Sequence, residues 1–169
     1  MNRKKIIMLA HGAMIAAIYA AATYLSASFA IAYGPIQFRL SEALTIFSVF
    51  TPAAIPGLTV GCIIGNIPSP FGVWDIVFGS LATLLASITA RAFRKITFKG
   101  FPLLSLLMPV VFNALIVGAE IVFLMPSQDA SLSAFAVAAL EVGAGELAVC
   151  LAGGIPLFYA ISKTKPFKY

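Results

Sequence analysis

Six ionisable side chains decide what chemistry this chain can do: Arg39, Glu42, Asp75, Glu120, Glu141 and Glu146. Each lies inside or at the margin of a long apolar run, where an ionisable group costs a few kcal/mol at least and ordinarily faces an interior cavity. The amides of Gln37, Asn66 and Asn113 add hydrogen-bond donors and acceptors among them. Several carboxylates around one guanidinium suit a cationic ligand with several donors, because such a ligand compensates buried negative charge. Catalysis fits poorly. The single histidine, His11, sits at the other end of its apolar run from the carboxylates, so Ser-His and His-metal chemistry lack their parts. There is no phosphate-cradling Gly-rich loop with Lys and Ser/Thr, and Cys62 and Cys150 have neither metal-ligand nor disulfide spacing. A carrier of a small molecule is expected, with no enzymatic site, metal or cofactor of its own.

Each candidate also has a plainer reading. Arg39 and Glu42, three apart, can pair with each other as a structural ion pair. Asp75 can complement a helix start, Asn113 can be interhelical glue, and Tyr33 and Trp74 can belong to an interfacial aromatic belt. A chain of this kind can also be a non-transporting structural membrane subunit, with its buried carboxyls protonated for packing.

The elements that must position these groups follow from composition. Of 169 residues, 61% are hydrophobic and 10% charged, with a mean hydropathy of +1.02, whereas soluble domains carry about a quarter charged residues. So apolar a chain belongs in a bilayer, and the absence of strand-like alternation selects helices over a barrel. The net charge of +5 is not a nucleic-acid footprint. Ten of the 11 basic residues cluster at Arg3, Lys4, Lys5, then Arg91, Arg94, Lys95, Lys99, then Lys163, Lys165, Lys168. Under the positive-inside rule both termini and the central basic loop are cytoplasmic, which requires an even number of crossings on each side of that loop.

Four crossings before the loop and two after it satisfy that rule, giving one domain over 1–169, an all-α six-helix membrane bundle. The expected spans are Ile6 to Ala32, Leu40 to Thr51, Ala53 to Asn66, Val73 to Ala92, Phe101 to Met125 and Leu132 to Ile161. Breakers separate them at 33–35, 67–72 and 126–129, and Pro56 with Gly57 disrupts the inner end of the short third span. An N-terminal signal peptide is the lesser reading, since Ile6 to Ala32 exceeds a typical signal core.

Helical spacing then orients the polar groups. Asn113 and Glu120, seven apart, fall within about 20° on one face. Thr59, Cys62 and Asn66 form a stripe on the third span. Glu120 lies roughly 9 Å and Glu141 roughly 15 Å below the outer surface, and the two are the favoured pocket carboxylates. Glu146, about 140° around the helix from Glu141, can serve helix packing or hydrogen-bond to a neighbour instead. On the cytoplasmic half of the first span, Ala13, Ala16, Ala17 and Ala20 set up small-xxx-small spacing that suits close helix approach, within the bundle or with a partner.

The stretch Tyr33 to Thr45, with Pro52 to Leu58, Gly61 to Asn66 and Trp74 to Leu84, resembles the QueT family over most of the chain. That resemblance implies the substrate-binding S component of an energy-coupling factor transporter, which takes up a queuosine precursor, a 7-deazaguanine, through the cell membrane. It implies partners: a transmembrane coupling subunit, met by the alanine face of the first span, and two cytoplasmic ATPases. It also implies toppling of the S component to deliver substrate inward. An S component for another vitamin or nucleobase is the alternative within that mechanism. On this reading Glu120 and Glu141 accept the base's donors and its aminomethyl cation. Asn66 and Asn113 meet the carbonyl and ring edge, and Trp74, Phe38 or Tyr33 stacks on the base. Gln37, Arg39 and Asp75 are further contacts.

Overall fold

In hydrocarbon no water is available to a lone backbone N–H or C=O, so an apolar chain must close its own hydrogen bonds. The computed structural model describes residues 3–33, 36–124, 130–164 and 167. Six helices carry them: α1 (Arg3–Ser28), α2 (Leu40–Phe50), α3 (Ala54–Gly65), α4 (Val73–Lys95), α5 (Leu103–Phe123) and α6 (Leu132–Thr164). Among the described residues the β pairing is one isolated bridge, Phe98 to Phe101. Helices α1, α4, α5 and α6 are long and apolar enough to cross a bilayer, which makes this a multi-pass membrane protein. Of the expected chain breaks, Gly34, Pro35 and Pro126 to Asp129 lie outside the described residues, as do Lys165 and Lys168 of the last basic cluster.

Helices α2 and α3 are the short ones, close to the expected spans Leu40 to Thr51 and Ala53 to Asn66. Helix α2 opens with a 7-residue 3-10 stretch, Leu40–Ile46, and ends with 4 α-helical residues, while α3 has 12 residues. At about 2.0 and 1.5 Å per residue they rise roughly 20 and 18 Å, short of the ~30 Å hydrocarbon core. They still join the two ends of α4. At the basic end Arg91 Nη1 donates to the Ser48 carbonyl at 3.0 Å; at the other, Asn66 Nδ2 donates to the Asp75 carbonyl at 2.8 Å. Nor does Pro56 disrupt α3. It falls in the first turn, where a helix needs no N–H from it.

Helix α3 lies against α1 through Gly57, Gly61 and Gly65, four residues apart. A Cβ on Gly57 would stand 2.6 Å from the Gly12 carbonyl oxygen, and one on Gly61 would stand 2.7 Å from Tyr19 Cβ and 2.8 Å from the Ala16 carbonyl oxygen. This contact divides the alanines of α1. Ala16 and Ala20 are buried against α3, whereas Ala13 and Ala17 are exposed. On the other side Ala82, Val117 and Val142 bring α4, α5 and α6 together. Helix α6 contains a π-helical turn, Cys150–Gly154, whose Gly153 and Gly154 press on Ala43 of α2 and Leu106 of α5.

Gly61→Val is expected to destabilise the purified protein by about 1–3 kcal/mol, the usual result of overpacking. Ala17→Leu, on the exposed face of α1, should leave thermal unfolding in detergent unchanged.

Candidate functional site

The polar centre is built around a short extended segment that folds back beside the end of α1. Phe38 N–H donates to the Ile31 carbonyl at 2.8 Å and Leu40 N–H to Ser26 Oγ at 3.1 Å. Extended backbone sends successive side chains to opposite sides. Gln37 and Arg39 therefore point inward at 1% exposure each, while Phe38 at 37% and Leu40 at 43% point out. Gly145 of α6 admits the segment, since a Cβ there would collide with the backbone of Gln37.

Arg39 is held from three sides. Its Nη2 donates to Asn66 Oδ1 at the end of α3 and stands 3.6 Å from Asp75 Oδ2 on α4. Its guanidinium carbon lies 5.5 Å from the centroid of the Tyr33 ring. The Tyr33 hydroxyl is itself anchored on the Gly65 carbonyl at 2.6 Å. Deeper in the bundle Glu42 is fully buried and saturated by hydroxyls. Tyr19 OH and Thr83 Oγ1 (3.2 Å) donate to Oε1, and Thr45 Oγ1 (3.3 Å) donates to Oε2.

Other buried polar groups of the interior have no such partners. Both carboxylate oxygens of Glu120 and Glu146, both amide atoms of Asn113, Gln37 Nε2, and Arg39 Nε and Nη1 lack a hydrogen bond among the described residues, and Asp75 meets Arg39 as an ion pair alone. Glu120 lies within electrostatic range of Asp75 and Arg39, and Glu146 within range of Glu42 and Arg39. Buried polar groups in proteins are nearly always satisfied. A cluster with this many open groups can accept hydrogen bonds at its carboxylates and donate them from its amides and guanidinium.

The expected site residues separate accordingly. Asn66, Asp75, Asn113, Glu120, Arg39 and Gln37 are gathered in the interior, and Tyr33 borders them. Asn113 and Glu120 share the buried face of α5. Phe38 points away and lines an apolar cavity of about 300 Å³ with Ile31, Leu40 and Val149. Trp74 is 49% exposed and stacks on Phe78, because it stands about 100° from Asp75 on α4. Arg39 does not pair with Glu42. The helix begins at Leu40, so Arg39 lies outside it and the i, i+3 relation fails. Glu141 is half-buried at the margin of the inner face of α6, whereas Val142, Gly145, Glu146 and Val149 form that face. The inward carboxylate of this helix is Glu146.

The family model described as QueT transporter matches residues 9–163. The Queuosine precursor transporter QueT of Lactococcus lactis subsp. cremoris (strain MG1363) is 42% identical over 73 residues, which is 43% of this chain and 43% of that protein. The matched stretch thus spans less than half the length of the relative. No solved structure matches.

Buried polar groups without partners weaken the protein that carries them. Glu146→Met is expected to raise the apo protein's stability by about 1–2 kcal/mol and Arg39→Met to lower it by about 3 kcal/mol, because the latter strands Asp75 as an unpaired buried charge. Thermal unfolding of the two variants in detergent, without ligand, reads both signs.

Proposed function

The chain belongs to the QueT transporter family, and from that premise we propose that it captures a queuosine precursor, a 7-deazaguanine, for import across the cell membrane. The observation that carries this reading is the charge inventory of the polar centre: Glu42, Asp75, Glu120 and Glu146 are buried with one buried cation, Arg39, and three of the four carboxylates, all but Glu42, have no hydrogen-bond partner among the described residues. The guanine-type ring supplies adjacent ring N–H and exocyclic amine donors, which a carboxylate accepts in a bidentate manner, and an aminomethyl substituent supplies a cation for a second carboxylate. Glu120 and Glu146 take these two roles, with Asn113 and Gln37 at the ring edge. The name of the Lactococcus lactis relative agrees with this class of substrate.

The import step follows the S-component mechanism that the sequence resemblance implies. Six crossings place both termini in the cytoplasm, with α2 and α3 as the two short ones. A transmembrane coupling subunit bearing two cytoplasmic ATPases docks on the exposed alanines of α1, and the S component topples to deliver its ligand. A groove of about 250 Å³ at this place, lined by Met8, Leu9, Ala13, Pro56 and Val60, supports that surface as the docking face.

Two outcomes test the proposal. 7-Aminomethyl-7-deazaguanine should raise the melting temperature of the purified protein, with Glu120→Gln and Glu146→Gln each losing at least tenfold in affinity, the loss expected when a charge-assisted hydrogen bond is removed; full affinity in both variants would remove the assignment. Replacing Ala13 and Ala17 by Trp should abolish uptake by cells while sparing ligand binding, and unchanged uptake would sink the docking face.

A further inference from the structure

Resting on the deazaguanine reading, we infer that Arg39 is the residue that reads the ligand's ring carbonyl oxygen, and that Asn66 and Gly79 are positioning residues that aim it. A guanidinium offers five N–H donors in a rigid plane. In Arg39 the Nη2 corner is committed to Asn66 Oδ1 and faces Asp75, and the Tyr33 ring lies 5.5 Å from the guanidinium carbon. The Nε and Nη1 atoms have no acceptor among the described residues, although the side chain is only 1% exposed. The open carboxylates nearby accept donors but offer nothing to a ligand carbonyl. The free part of Arg39 is the cationic donor that such a carbonyl needs.

Asn66 has no donor left for a ligand. Its Oδ1 accepts from Arg39, and its Nδ2 donates to the Asp75 carbonyl at 2.8 Å and faces Cys62 Sγ at 3.4 Å. It is a strut between α3, α4 and the extended segment. Gly79 keeps the room that this arrangement occupies: a Cβ there would stand 2.7 Å from Asn66 Nδ2, 3.4 Å from Asp75 Oδ1 and 3.5 Å from Arg39 Nη1.

Binding of 7-aminomethyl-7-deazaguanine, and of its analogue with sulfur in place of the carbonyl oxygen, which keeps the ring N–H and the exocyclic amine but is a weak acceptor, to the full chain in detergent tests the assignment. The wild type should favour the carbonyl ligand by about 10- to 100-fold, the range for a hydrogen bond to a charged group. In Arg39→Lys, Asn66→Ala and Gly79→Ala the preference should fall to within about threefold, with the analogue's affinity nearly unchanged. Gly79→Ala keeps every polar partner and decides the matter should Asn66→Ala not fold. A purely structural role weakens both ligands alike and preserves the ratio; that result overturns the assignment, as does a wild type that binds both equally. A wild type that binds neither overturns the deazaguanine reading and this assignment with it.

Discussion

A guanidinium placed among membrane helices is tolerated only where its surroundings replace the water it has lost, and that requirement organises this protein. Inserting an arginine at a helix centre costs about 2.5–3.5 kcal/mol even on scales that allow relaxation. Arg39 meets the demand with groups from different parts of the chain: an amide at the end of α3, a carboxylate at the start of α4 and an aromatic ring before the extended segment. Because its partners come from separate elements, burying this one side chain sets their mutual register. The glycines at 79 and 145 are the spaces through which backbone and side chain reach those positions.

Below this arrangement the saturated Glu42 shows what a purely structural buried carboxylate looks like here, with hydroxyls from α1, α2 and α4 on its oxygens. Glu120 and Glu146 contrast with it in the same molecule, buried and open. Natural proteins break the rules of polar satisfaction mainly where function requires it. The contrast between neighbouring carboxylates is therefore more informative than the burial of any one of them.

Much of the fold was legible in the residues because Pro and Gly breakers punctuate the apolar runs; α4 begins at Val73 and α6 at Leu132, where those breakers place them. The common face of Asn113 and Glu120 was legible from a spacing of seven. The spacing of three left Arg39 and Glu42 open to pairing, but Arg39 stands on extended backbone ahead of the helix and its guanidinium turns to Asn66 and Asp75 instead, long-range partners that spacing does not reveal. Glu146 was passed over because depth along a helix says nothing about rotation around it. The apolar positions Val142 and Val149, with Gly145 beside the acid, held the missing phase. Likewise the alanines of α1 form two adjacent stripes, and the matching glycines at 57, 61 and 65 were the signal that the 16 and 20 stripe turns inward.

The π-helical turn at Cys150–Gly154 has a consequence for chain length. Such a turn holds one residue more than the regular helix around it. Because the wide turn takes up that extra residue, the two halves of α6 keep the phase of a regular helix one residue shorter. Deleting one residue there would leave a continuous α-helix with Phe158 still facing Phe101, against which it packs edge-on at 5.0 Å, whereas a deletion in the regular part of α6 would turn everything beyond it by about 100°. The π-helical turn is thus the place where the length of α6 can change by one residue while both ends keep their partners.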